Sequence, residues 1–473
     1  MKTKKTFKMP TSYTILYAII VIVAILTWIV PAGQYQMTEM NGQNIPVAGT
    51  YERIENTPQG IFEVLGAPVK GFYDGLQVSF FIMMIGGFLG VVMKTGAIDA
   101  GIAAITKTFK GREKIMLVIL TSLFALGGST FGMAEETIAF YPLIIPILIA
   151  AGYDTVTAVS VILLGAGLGC LASTVNPFAT GIASGFAGVA IGEGLFLRMA
   201  MFAVGLVITI LFILRYAQKV KADPTKSIVY DTWKQDKEHF LGTAHGAEFP
   251  EMTKKRSLAL VIFCASFIFM IFSLIPFSDL GITFIPTLGW YFQELSVFFL
   301  TMGIVLGIVA GLKEEELVTA FIDGMKDLFG VAIVVGVSRG ITIIMNDGNI
   351  TATVLNMGET TLASLGRISF IVLTYVFYIP MSFLIPSSSG LATLSMPIMA
   401  PMADFAGVAR SMVITAYQSA SGLVNFITPT SGVVMGGLAI ARVPYDKWLK
   451  FSLKYLAIIF AYTIVFLIIG VWV

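Results

Sequence analysis

Charge is scarce in this chain. Asp, Glu, Lys and Arg make up only 12% of its 473 residues, against about 25% in a soluble domain. That shortage excludes an ordinary water-soluble fold, and a net charge of +2 gives no basic field for nucleic acid. Cysteine is nearly absent. Cys170 and Cys264 both sit in apolar runs, which excludes a disulfide framework or thiolate cluster and reads as small buried hydrophobes. The two histidines, His239 and His245, fall together in a polar stretch between two apolar halves and read as solvated. No Gly-x-x-x-x-Gly-Lys-Ser/Thr segment occurs, so nothing points to nucleotide as an energy source. No catalytic residue and no metal-ligand set can be nominated. An intramembrane hydrolase, which commonly needs a base or metal beside its nucleophile, stands only as the alternative of another class.

What is abundant is apolar length. Hydrophobic residues are 56% of the chain and mean hydropathy is +0.87. Runs at 13–30, 199–214, 257–275 and 451–473 approach the roughly 20 residues that cross a bilayer. Lys2, Lys4, Lys5 and Lys8 precede the first run. No small-x-small cleavage site follows it, so it reads as a retained span rather than a leader.

The second half repeats the first. Phe72, Asp74 and Gly75 recur as Phe321, Asp323 and Gly324; Met93, Gly96 and Ile98 as Met345, Gly348 and Ile350. Gly111-Arg112 recurs as Gly366-Arg367. Pro142, Pro146, Ala151-Gly152 and Gly167-Leu168 recur as Pro397, Pro401, Ala406-Gly407 and Gly422-Leu423. Related halves in an apolar chain are the mark of secondary transporters, with the site at the repeat interface.

Basic residues collect on the cytoplasmic side of membranes. The N-terminus, the turn with Lys107, Lys110, Arg112 and Lys114, the segment 215–256, Lys313, and the Lys447, Lys450, Lys454 cluster are therefore expected inside. Parity then predicts an all-α polytopic membrane protein of two inverted-topology repeats, with about nine transmembrane helices and two re-entrant helical hairpins. The first repeat covers 1–214 with a hairpin at about 113–151, a cytoplasmic linker covers 215–256, and the inverted repeat covers 257–473 with a hairpin at about 368–406. The C-terminus is expected outside.

Backbone at bilayer depth must be hydrogen-bonded unless it lines a cavity or is buried in protein. Four segments break helical regularity in matched pairs. They are the hairpin tips, 127–136 and 386–390, and the proline-containing breaks, 173–177 and 425–432. Their hydroxyls and amides can replace a ligand's hydration shell, while freed helix ends add partial charge. Single segments of this kind read as polar kinks; four in symmetric positions read as a binding site. The expected lining is Ser129, Thr130, Glu135, Glu136, Ser173, Thr174, Asn176, Ser387, Ser388, Ser389, Asn425, Thr428, Thr430 and Ser431. Glu135 and Glu136 are the sharpest of these, because an acid at mid-membrane costs about 2.5–3.5 kcal/mol. One would meet a cation or carry a proton; the other would close a helix end or pair with Arg339. For Arg339 the leading role is structural, beside one as an anchor for a substrate carboxylate.

Met9-Pro10-Thr11-Ser12, the run Trp28 to Tyr35, the Phe131 to Thr137 tip and the segment Ser173 to Phe178 resemble the YfcC-like family, described as C4-dicarboxylate anaerobic carriers or basic amino-acid antiporters. The resemblance spans essentially the whole chain. It implies the ion-transporter superfamily fold, an elevator-like carrier in a bacterial inner membrane and a homodimer. Dicarboxylate carriers of that superfamily carry Ser-Asn-Thr at their tips. Here the tips read Gly-Met-Ala-Glu-Glu and Ser-Ser-Ser-Gly, and two carboxylates beside a dianion would repel it. The expectation is a secondary active transporter without a cofactor, moving an amino acid with a cationic group, basic ones included, by exchange or with H+ or Na+ as coupling ion. A Na+- or H+-coupled carrier of C4-dicarboxylates or other organic anions is the alternative.

Overall fold

A computed structural model describes residues 12–40, 43–98, 100–101, 112–241, 251–274, 277, 284–363 and 365–472. The N-terminal lysines, Lys107, Lys110 and His245 lie outside the described residues. Among those described, eight helices are long and apolar enough to cross a membrane: Leu76–Lys94, Glu113–Thr130, Leu195–Ala222, Lys254–Leu274, Phe292–Ala310, Glu314–Asp347, Arg367–Leu384 and Tyr445–Gly470. Two of the eight are the first arms of the expected hairpins. Many large apolar side chains point outward, among them Ile22, Ile25, Leu211, Val261, Ile268, Ile308 and Val465. In water this would be an aggregation surface; against lipid it is the expected exterior. The chain is a multi-pass membrane protein.

The expectation of an all-α chain is corrected at its first loop. After helix α1 (Ser12–Ile29) come two antiparallel ribbons. Strands β1 (Gly33–Gln34) and β4 (Glu52–Arg53) pair, and between them β2 (Met37–Met40) pairs with β3 (Gln43–Pro46). Short polar strands can satisfy each other's backbone outside lipid, where helix is not obligatory. The ribbons are fixed to the second half of the chain. Tyr35 donates to Glu359 at 2.8 Å, the amide of Gly49 to the other Glu359 oxygen at 2.9 Å, and Tyr51 bonds Thr353 at 2.9 Å.

The core is set by helices that touch backbone to backbone. Helices α2 (Ile61–Asp74) and α3 (Leu76–Lys94) meet only at Gly75; together they pack along one helix of the second half, Glu314–Asp347. A Cβ on Gly71 would strike Gly336 and Gly340, and one on Gly86 would lie 2.5 Å from the carbonyl oxygen of Gly324. Gly90 meets Ala320 and Gly324 in the same way. Numbers rise on one side as they fall on the other, so the crossing is antiparallel. Small residues at four-residue spacing let membrane helices approach this closely, and packing then holds them.

A polar connector separates two long apolar helices. The helix beginning at Leu195 runs on to Ala222, and the next long helix starts at Lys254. The connector is moored by Asp154, a buried carboxylate whose oxygens accept from the Thr157 amide and hydroxyl and from Tyr216 and Ser227, each at 2.6–2.8 Å. A surface pair joins Asp231 to Lys447, and the Lys447 ammonium holds the Asp231 carboxyl below its usual range.

Two outcomes follow from this packing. Gly86→Ala inserts a methyl against a carbonyl that cannot give way and is expected to cost about 1–3 kcal/mol, read as a lower melting temperature in detergent. Gly185→Ala, which meets nothing within 4 Å, is the neutral control. Asp231→Asn is expected to cost no more than about 1 kcal/mol at pH 7, since the pair is exposed. A depressed carboxyl stabilises the fold fully above its unfolded value of about 3.9 and loses that contribution as pH falls through the lower folded value. The melting difference between variant and wild type should therefore close on acidification below that range.

Candidate functional site

The matched breaks converge. In the first half, α4 (Glu113–Phe131) ends at Gly132 in the left-handed conformation, φ 77°. A short 3-10 turn (Glu135–Phe140) leads into α5 (Tyr141–Ala150). Next come α6 (Thr155–Val159), a π turn (Ser160–Leu164) and α7 (Gly165–Leu171). After an interruption at residues 172–176 the chain resumes in a second π turn, Pro177–Gly181, and α8 (Ile182–Ala187). The second half repeats the plan. Helix Arg367–Leu384 stops before Pro386, Ser387 caps Ser388–Ala406, and Arg410–Val424 is separated by residues 425–431 from Gly432–Ile440. Proline supplies no amide at either break, so the helical ladder cannot continue unaltered.

Each tip is stapled to its neighbouring break. Ser129 accepts from the amide of Thr174 at 3.0 Å and from its hydroxyl at 3.1 Å. The hydroxyls of Ser129 and Thr174 lie 3.1 Å apart. In the other half Thr430 donates to the carbonyl of Phe383 at 2.8 Å, and Thr428 bonds Thr430 at 2.7 Å. The first break is joined to the helix that precedes the second through Gln418. Its amide donates to the carbonyl of Ser173 at 3.0 Å and its oxygen accepts from Thr180 at 2.7 Å; Thr180 in turn bonds Ser173 at 2.8 Å. Buried Arg198 donates to the carbonyls of Glu193, Ile191 and Thr174 at 2.7, 2.6 and 3.3 Å. Trp448 and Tyr445 donate to Phe426 and Ile427 at 2.9 and 2.7 Å. The irregular backbone is thus satisfied by protein.

Between these segments lies a cavity of about 150 Å³, the size of a cavity that holds benzene. Nine of the expected residues line it: Glu135, Glu136, Asn176, Ser387, Ser388, Ser389, Asn425, Thr430 and Ser431. The other five, Ser129, Thr130, Ser173, Thr174 and Thr428, do not line it. Four of these form the staples, and Thr130 turns back to the carbonyl of Leu126 at 2.7 Å.

Glu136 is only 4% exposed and accepts from the amide of Ala134 at 3.1 Å. Among the described residues neither glutamate has a Lys or Arg within 4.0 Å. The expected pairing of a glutamate with Arg339 is therefore corrected. Arg339 lines the cavity but pairs with Asp74 at 3.1 Å. The crossing at Gly71, Gly336 and Gly340 carries it there, next to the end of α2, where Asp74 is nearer than the tip. Ser387 accepts from the amide of Gly390 at 3.2 Å and places the first turn of a 19-residue helix at the cavity wall.

Sequence reasoning missed Tyr291, Gln418, Ser421 and Ser338, all of which line the cavity. Gln418, Ser421 and Asn425 recur at helical spacing on one face, a signal that was available. Tyr291 lies outside the repeat motifs and reaches the site by packing on Phe178, ring centroids 5.3 Å apart.

Broken helices around a partly open cavity with polar and charged groups on its wall, in a multi-pass protein, are the architecture of a membrane transporter. The model of the DcuC family, C4-dicarboxylate anaerobic carrier, matches residues 9–472, and the chain belongs to that family. It is 32% identical over 492 residues to a protein of Haemophilus influenzae, covering 95% of this chain and 94% of that one. It is 28% identical over 498 residues to the Escherichia coli protein named "Putative basic amino acid antiporter YfcC", covering 97% and 96%. Among solved structures it is similar to MtrF of Neisseria gonorrhoeae, of a class of antimetabolite efflux pumps (19% identity, 98% and 96% covered, TM-score 0.47). It is also similar to the YdaH transporter of Alcanivorax borkumensis (14%, 98% and 98%, TM-score 0.45).

Gly132→Ala would force an L side chain into the left-handed region, at about 1–2 kcal/mol, and set its Cβ 2.5 Å from Asn176. Asn176 caps the amides of Phe178 and Ala179 at 2.8 and 3.2 Å. The variant is expected to lower the melting temperature and to abolish ligand-induced stabilisation in a thermal-shift assay.

Proposed function

We propose that the protein is a secondary active transporter of a small charged metabolite, an amino acid with a cationic group, basic ones included, moved by exchange or coupled to H+ or Na+. The observation that carries this reading is the pair Glu135 and Glu136 on the wall of a partly open, largely apolar cavity, with no cation of the described protein within ion-pairing distance. Acids at membrane depth are costly and mark substrate or ion pathways. A cationic ligand or a proton would offset that cost. Transport driven by an ion gradient or by counter-substrate agrees with the lack of a nucleotide motif.

The mechanism we infer is elevator-like alternating access by two inverted repeats, 1–214 and 257–473, joined by a cytoplasmic linker. The antiparallel crossing of α2 and α3 on their second-half counterpart supports inversion. So does the second crossing, where Gly422 abuts Leu171 and Gly167 abuts Phe426. The two tip helix pairs would be the re-entrant hairpins, giving nine spans with the two broken ones. A homodimer in a bacterial inner membrane, N-terminus inside and C-terminus outside, completes the reading.

A second reading has its own support. A C4-dicarboxylate or other organic anion, coupled to Na+ or H+, agrees with the family's description and would use Arg339 and the serines of 387–389. Counterflow in proteoliposomes separates the two. Labelled arginine is expected to exchange and succinate not. Glu135→Gln and Glu136→Gln, which keep shape and remove charge, should each lower arginine exchange on the order of 10-fold or more. Succinate exchange by the wild type, or arginine exchange untouched by both variants, would overturn the cation reading.

A further inference from the structure

The cavity wall holds one charged group that cation recognition leaves unused. Arg339 sits where two close helix approaches fix its backbone. Gly336 and Gly340 flank it, Gly71 presses on the same turn, and the stem of the side chain passes Gly75, within 3.5 Å of a notional Cβ there. Its side chain is 26% exposed and donates from Nη1 to Asp74, whose side chain is 49% exposed. An ion pair that open to water is weak, and a guanidinium fork offers five N–H donors.

We propose that Arg339 is the anchor for a carboxylate on the substrate, and that the cavity selects molecules bearing one carboxylate and cationic groups together, a basic α-amino acid over the amine that lacks its carboxylate. This rests on the amino-acid reading above and narrows it. The charges on the wall are the argument. Among the described lining residues Glu135 and Glu136 are acids and Arg339 is the base. A basic amino acid carries two cations and one carboxylate, the complementary set. Arg binds carboxylates through two parallel N–H···O bonds, which gives direction as well as strength. Asp74 occupies part of the fork, through Nη1 alone. A carboxylate arriving opposite the acid pair would engage the remaining donors. A simple amine would leave the remaining donors of Arg339 without a carboxylate and would meet its like charge inside the same cavity.

The test uses the full chain in proteoliposomes loaded with arginine, with labelled arginine outside and either unlabelled arginine or agmatine, its decarboxylated form, as competitor. Agmatine is expected to compete on the order of 100-fold more weakly than arginine on the wild type, and Arg339→Gln to lower arginine uptake by a similar factor. Size-exclusion elution and melting temperature report whether Arg339→Gln is folded. Should it not fold, the arginine-to-agmatine ratio on the wild type decides alone. Arginine and agmatine competing alike on the wild type, or folded Arg339→Gln keeping wild-type discrimination, would overturn this inference and leave the amino-acid reading standing. Succinate exchanging where arginine does not would overturn both.

Discussion

A helix interrupted inside a bilayer exposes amides and carbonyls that lipid cannot satisfy, and the architecture of this protein follows from that constraint. Each interruption is closed by a partner from elsewhere in the chain. Thr174 reaches the carbonyl of Ser129, Thr430 that of Phe383, Arg198 that of Thr174, and Trp448 that of Phe426. What they leave uncovered on the inner side is a small, partly open cavity. Binding capacity and structural repair are in this sense the same arrangement seen from two sides.

The repair differs between the halves although the plan is shared. The first break is held by a fully buried arginine that donates to the carbonyl of Thr174 and anchors itself on those of Ile191 and Glu193. The second is held by a tryptophan and a tyrosine from the C-terminal helix. Likewise the first tip brings carboxylates and the second brings hydroxyls at a helix start. The side chains at the two tips differ, and the cavity is chemically lopsided.

The apolar spans and the four irregular segments were legible in the sequence because each is local: a run, or a proline among hydroxyls. Nine of fourteen nominated residues reach the cavity wall because a break exposes its polar groups to the space it opens. The remaining five are polar for the same reason but turn to neighbouring backbone, a choice that depends on which segment packs beside them. Arg339 and Asp74 could not be paired from sequence, since the pairing depends on the Gly71–Gly336 approach across the two halves. The β ribbon was a lapse of reading rather than of information. Asn41-Gly42 stands between β2 and β3 and is the strongest short-range signal for a hairpin.

The attachment of that ribbon to Glu359 bears on how the protein is made. Tyr35 and Gly49 leave the ribosome some three hundred residues ahead of their acceptor, and α2 and α3 emerge long before Gly324 and Gly336. At about 5–20 residues per second, these early segments wait tens of seconds in the translocation machinery or the bilayer with their glycine faces uncovered. The first half is therefore a client of its own unborn sibling, and quality control acting during that interval would decide how much finished carrier a cell obtains.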